Sequence, residues 1–256
     1  MPATLLYNIF CRFSRRKRRF CGILKNLTGG LPTLNPEELA GLAVSRLKMT
    51  YPDTACALKY GGDPWRLLVM ARLSAQCTDK RVNTVSEELF RVYPDVYAMA
   101  DAPVSGIENI VRPCGLYHMK ASDIKKMSQM LITGFGGKVP YDMDSLLSLP
   151  GVGRKIANLM RGDVFGLPAV VTDTHCIRIC GRLGFYPESL KEPYKIEKIL
   201  AALIPPEEQS DFCHRLVDFG RDTCCARSPR CGECRLSDIC ARFAADKTNE
   251  SKEQGI

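Results

Sequence analysis

Four cysteines near the C-terminal end, Cys224, Cys231, Cys234 and Cys240, fall in a Cys-x6-Cys-x2-Cys-x5-Cys pattern. Thiols that close in sequence can enclose an inorganic centre. A structural zinc site usually joins two close pairs, at spacings of about two to four residues, across a longer loop. Here only Cys231 and Cys234 form such a pair. Thiolate is the ligand type that iron–sulfur clusters demand, and one short loop wrapping a compact cube needs a ligand from nearly every turn of chain. The spacing therefore points to iron–sulfur rather than zinc, with thiols that carry no metal as the plain alternative. The nine other cysteines, Cys225 beside Cys224 among them, show no such grouping.

A second constellation is Leu149-Pro150-Gly151-Val152-Gly153-Arg154-Lys155, set between two helical patterns. Its Gly-x-Gly lets the backbone turn tightly, and a helix starting at once aims free N–H groups and a positive dipole end at an anion such as a DNA phosphate. An ordinary helix–turn–helix connection would carry the same residues. Ile156, Leu159, Met160 and Val164 are the expected buried stripe of the second helix, with Arg154 and Lys155 off it. Lys155 alone reads as an exposed helix lysine. In a partly desolvated cleft beside a helix N-terminus and Arg154, its charged form is disfavoured and the amine becomes a candidate nucleophile. Asp173 alone reads as the N-cap of a helix starting at Thr174, and His175 as a structural helix histidine.

The elements that must position these groups are helical. Pro36-Glu37-Glu38 opens one helix that closes at Tyr51-Pro52, and periodic segments follow at Trp65–Ser74, Asp79–Tyr93, Val104–Cys114, Lys120–Phe135, Ser145–Leu149, Arg154–Phe165 and Thr174–Leu183. Ala169-Val170-Val171 is the one strand-like stretch there, too short to build a sheet. The fold class read from this pattern is all-α. With 256 residues and 45% apolar content the chain can bury a real core, and it holds no apolar run near the roughly 20 residues that span a bilayer.

Net charge is +8, but residues 1–30 carry seven basic residues and no acid, which leaves about +1 for the other 226. Overall charge therefore argues nothing about DNA binding by the folded part. A local excess of basic residues lies between Ser145 and Phe185 (Arg154, Lys155, Arg161, Arg178 and Arg182), which a solvated helix face would also produce. The segment 1–30 reads as a mobile basic extension that adds DNA affinity or serves targeting. Thirteen cysteines without a secretory signal imply a reducing compartment: cytoplasm, or nucleus or mitochondrion in a eukaryote.

The hairpin block, Val171-Thr172-Asp173-Thr174-His175 with its aspartate eighteen residues after the lysine, and the four-cysteine loop together closely resemble the endonuclease III family, DNA glycosylase/AP lyases of the helix-hairpin-helix superfamily. Leu73-Ser74-Ala75-Gln76-Cys77-Thr78-Asp79 and Gly115-Leu116-Tyr117 fit the same family upstream. The resemblance implies two helical domains: a six-helix barrel at 57–167, and a cluster domain made of 31–56 plus 168–246, with 247–256 a polar tail. It implies a bifunctional enzyme acting on oxidised pyrimidines in double-stranded DNA, monomeric and not membrane-bound, with a [4Fe–4S] cluster on the four cysteines. Lys155 would attack the sugar C1′, with Asp173 stabilising the developing charge or relaying a proton. Gln76 and Leu116 would fill the vacated stack, while Gly151, Gly153 and Arg154, with Arg227 and Arg230 of the cluster loop, would meet the DNA backbone. The rivals are a monofunctional adenine or mismatch glycosylase, whose adenine-specific family lacks the hairpin lysine and has a further C-terminal domain, and a non-enzymatic iron–sulfur DNA-binding module, which would need neither Lys155 nor Asp173.

Overall fold

Helix starts along this chain are set by capping side chains. In the computed structural model, which describes residues 34–253, the Asn35 side chain accepts from the Glu38 amide and the Glu38 carboxylate accepts from the Asn35 amide. With Pro36 at the first helical position, that is a complete capping box for α1 (Pro36–Thr50). Asp63 caps α2 (Pro64–Leu73), Thr78 caps α3 (Asp79–Val92) and Asp95 caps the short α4 (Val96–Asp101). α5 (Val104–Val111) passes into a 3-10 turn, Arg112–Cys114, before α6 (Tyr117–Phe135). Asp142 caps α7 (Met143–Ser148), and α8 (Arg154–Asp163), α9 (Thr174–Leu183), α10 (Pro193–Leu203), α11 (Gln209–Asp222) and α12 (Ala241–Glu253) complete the order.

No strand forms among the described residues. Around Ala169-Val170-Val171 the backbone is satisfied by side chains instead of a ladder: Asn158 Nδ2 donates to Val170 O at 3.0 Å, and the Val171 amide donates to Cys213 Sγ at 3.2 Å. Several boundaries differ from the sequence pattern, the start of α7 two residues before Ser145 among them. The helix expected over Val104–Cys114 tightens at Pro113, which supplies no amide hydrogen, and α6 begins three residues earlier than Lys120. α8 stops at Asp163, with Gly166 at φ 59° just beyond. α4 gave no periodic signal, being little more than one turn long. The basic extension 1–30 lies outside the described residues, while 247–253 of the polar tail continue α12.

Apolar side chains gather into two cores. One, drawn from residues between Leu58 and Met160, is centred on Leu67, Leu68, Leu89, Ile107, Ile124 and Met127, all fully buried. The other joins α1 to residues between Val170 and Ile239, with Ala43, Ile179, Ile196, Leu200, Phe212 and Leu216 at its centre. α8 belongs to both. Its Ala157 and Met160 are buried in the first core, and half-buried Leu159 touches each. The stripe expected for α8 therefore shifts: Ile156, Leu159 and Val164 are only half-buried, and the polar Asn158 takes a buried position through its bond to Val170.

Candidate active site and cluster loop

The turn between α7 and α8 is shaped by a glycine whose replacement would be strained. Gly151 has φ 75°, and a Cβ there would lie 2.5 Å from Arg72 Nε and 2.8 Å from Asp123 Oδ2. Those two groups form a largely buried ion pair, Nη2 to Oδ2 at 2.7 Å, which makes a rigid floor under the hairpin. Val152 is buried, so the turn is anchored from beneath. Gly153, the N-cap of α8, offers no side chain to the first amides of the helix, which leaves them for an external acceptor.

The two basic residues that follow have different environments. The Arg154 guanidinium bonds Glu197 of α10 at 2.6 and 2.9 Å and stacks 4.5 Å over the Tyr194 ring. Lys155 is exposed and, among the described residues, carries no ion pair, so the partial desolvation expected for it is absent. Asp173 caps α9, its Oδ1 2.7 Å from the Cys176 amide. His175 lies between them electrostatically. Burial pushes its imidazole below the usual range, Asp173 pulls it up, and Arg178, Arg221 and Lys155 push it down further. Lys155 and Asp173 thus act on one ring with opposite sign.

Gln76 and Leu116 sit on two loops of the part of the chain that forms the first core. Both are exposed, Leu116 to 49%, and they are the two non-glycine residues with positive φ among those described, at 55° and 49°. One turn along α6, Met119 is also 55% exposed.

Cys224, Cys231, Cys234 and Cys240 all line one cavity of about 280 Å³. Cys225 does not; its thiol turns back toward the Arg221 carbonyl, 3.5 Å away. Among the described residues no three His, Cys, Asp or Glu side chains converge closely enough to hold a single metal ion. All four cysteines line the cavity, and donors already face two of their sulfurs: the Leu236 amide to Cys234 Sγ and Arg182 to Cys224 Sγ, both at 3.4 Å. The residues present fit an iron–sulfur cluster. Burial pushes the Cys240 thiol up to about 11 and raises Cys231 and Cys234 too, so metal binding must displace protons there.

Arg178 and Arg182 of α9, counted above with the basic excess, are spent on this loop. They donate to the Cys224 carbonyl at 3.1 Å and to the Cys225 and Ala226 carbonyls at 2.8 and 2.9 Å. Arg227 is exposed at the loop's tip, whereas Arg230 is paired with Asp222. Glu197 and Tyr194 escaped the sequence reading because they act from a different helix, and the loop partners of Arg178 and Arg182 did so because they lie more than 40 residues away.

Residues 69–206 match the model of the HhH-GPD superfamily base excision DNA repair protein. Endonuclease III of Bacillus subtilis (strain 168) is 42% identical over 192 residues, 74% of this chain and 86% of that protein. Endonuclease III of Escherichia coli (strain K12) is 38% identical over 197 residues, 77% and 92% of the two. The structure of a non-covalent endonuclease III–DNA complex superposes with TM-score 0.78 at 38% identity, covering 85% of this chain and 100% of that one. A trapped endonuclease III–DNA covalent intermediate gives the same score and identity over 84% of this chain and 100% of that one. No described helix is long and apolar enough to cross a membrane. Matched by the superfamily model over more than half its length, and by relatives 38–42% identical over about three quarters of it, the chain belongs to the endonuclease III family of HhH-GPD base excision DNA repair proteins.

Proposed function

We propose that the chain removes oxidised pyrimidines from duplex DNA and then cleaves the abasic strand by β-elimination. The observation that carries this reading is Lys155 on the first turn of an uncapped helix, with Asp173 at the start of the next helix and both charges felt by His175. The Lys155 Nζ lone pair forms a bond to C1′ as the glycosidic bond breaks and the base departs with a proton; the C1′–O4′ bond then opens, O4′ takes a proton, and C1′ and Nζ become an iminium. Loss of the C2′ proton from the resulting iminium expels the 3′ phosphate, and water then frees the lysine. Asp173, held by the Cys176 amide, supplies negative charge beside the developing cation and a place for the Lys155 proton. The open amides of α8 hold a backbone phosphate, which fixes the sugar for attack.

Gln76 and Leu116 enter the stack when the damaged base leaves it. Cys224, Cys231, Cys234 and Cys240 would hold a [4Fe–4S] cluster, which when bound serves structure by fixing the loop that presents Arg227. The two cores correspond to two domains, with the hairpin of the first against the cluster-bearing second. The protein works wherever the DNA is, in the cytoplasm of a bacterium such as those of the relatives.

Borohydride trapping on an abasic duplex tests the reaction. A covalent protein–DNA adduct is expected. Base release without an adduct would make the enzyme monofunctional, and DNA binding with neither would reduce it to a binding module.

A further inference from the structure

Lys120, on the first turn of α6, is fully buried, at 0% exposure. A buried ammonium is costly unless its donors are met. Here three donors meet three acceptors: Nζ lies 2.8 Å from Leu73 O, 2.7 Å from Ala75 O and 2.8 Å from Cys114 O. Two of these carbonyls lie at the C-terminal end of α2, where the helix dipole favours a cation, and the third ends the 3-10 turn before α6. Burial lowers the lysine and Arg72 lowers it further, while only the Cys114 and Cys77 thiols act the other way. The carbonyls, not a carboxylate, hold the ammonium.

What those carbonyls have in common is their neighbours. Ala75 immediately precedes Gln76, and Cys114 precedes Gly115 and Leu116. Gln76 and Leu116 are the two described non-glycine residues with positive φ. Such conformations persist only where the surroundings over-determine them. The Lys120 amide also donates to the Leu116 carbonyl at 3.0 Å, so one residue grips the Leu116 loop from both sides while its ammonium grips the Gln76 loop.

We propose that Lys120 is a positioning residue that locks the Gln76 and Leu116 loops into one unit, so that both side chains enter the duplex together at a fixed separation. This rests on the reading of Gln76 and Leu116 as the groups that fill the vacated stack. Lys120 touches no DNA itself. Its contribution is made before the base is extruded, and the later strand cleavage at Lys155 does not need it.

The test compares the full chain with Lys120→Met and Leu116→Ala, at a temperature where all are folded, on a duplex with one paired oxidised pyrimidine and on the same duplex with an abasic site. A 2-aminopurine beside the lesion reports unstacking. Lys120→Met is expected to slow base excision and the 2-aminopurine rise by at least about tenfold, with abasic cleavage changed by less than about threefold. The double variant should be no slower than the slower single, because the loops act as one unit. If Lys120→Met does not fold, Lys120→Gln, which keeps two donors, is judged by the same measures. Equal losses on both substrates, or additive losses, while Leu116→Ala stays selective for the paired lesion, overturn the role of Lys120 alone. A Leu116→Ala variant that loses both substrates equally overturns the stack-filling reading itself, and the proposal with it.

Discussion

At the scale of single residues, the capping bond of Asp173 and the catalytic charge proposed for it can be separated by one substitution. Asparagine caps a helix about as well as aspartate, so Asp173→Asn keeps the bond to the Cys176 amide and removes only the charge. Its stability should stay within about 0.5 kcal/mol of the parent while single-turnover excision falls by about 10²–10⁴-fold. A variant that melts early and still excises would leave Asp173 as a cap and nothing more. Lys155→Gln, at an exposed position, should likewise fold normally and lose borohydride trapping. These residues were legible in the sequence because their chemistry sits on contiguous blocks. Arg154 was only half legible: its place off the apolar stripe could be read, but its partner Glu197 stands 43 residues away on another helix. Lys120 was not legible at all, since a lysine on a helical pattern reads as solvated until the carbonyls around it are known.

At the scale of elements, the hairpin works because backbone sign and available space agree at Gly151. Gly151→Ala must both hold φ 75° and push against Arg72 and Asp123, which are locked in their own ion pair. It should destabilise the protein by about 1–3 kcal/mol and weaken binding to undamaged duplex, read by urea titration and by fluorescence anisotropy. Normal stability and affinity would mean that the hairpin relaxes freely. The cluster loop makes a comparable prediction about neighbours. Cys224 faces the cavity and Cys225 turns to a helix carbonyl, so Cys225→Ala should keep iron and acid-labile sulfide while Cys224→Ala loses both. Iron retained by Cys224→Ala and lost by Cys225→Ala would exchange their roles. The helix start at Thr174 was readable from Asp173, because a cap is a local device. The 3-10 turn at Pro113 and the one-turn α4 were not, because short elements carry too few residues to show a period.

At the scale of the whole molecule, α8 joins the two cores, and a buried ion pair seals that junction. His214 of α11 bonds Asp163 at the end of α8 at 2.8 and 3.1 Å, and Ser210 donates to the same carboxylate at 2.9 Å. The close approach depends on Gly162, where a Cβ would lie 2.5 Å from Ser210 Oγ. Burial by itself lowers His214, but the bond and charge of Asp163, with Asp211 and Asp218, outweigh it and leave the imidazole above its ordinary value. Burial raises Asp163, and the bonds from His214, Ser210 and Cys56 outweigh it in the other direction. A group raised on folding contributes fully below its unfolded value, about 6.5 for histidine, and loses that contribution as pH climbs through the folded value. A group lowered on folding contributes above its unfolded value, about 3.9 for aspartate, and loses it as pH drops through the folded one. The junction should therefore be strongest between about pH 4 and 6.5 and loosen on the alkaline side first in any working range. His214→Gln keeps a polar group facing Asp163 but cannot titrate. Urea midpoints of the parent should decline from pH 6 to 9 relative to those of the variant, and the gap between the two curves should close as His214 deprotonates. Parallel curves across that range would show that the pair does not bind the two cores together, and that the junction rests on the packing of α8 against α11 alone.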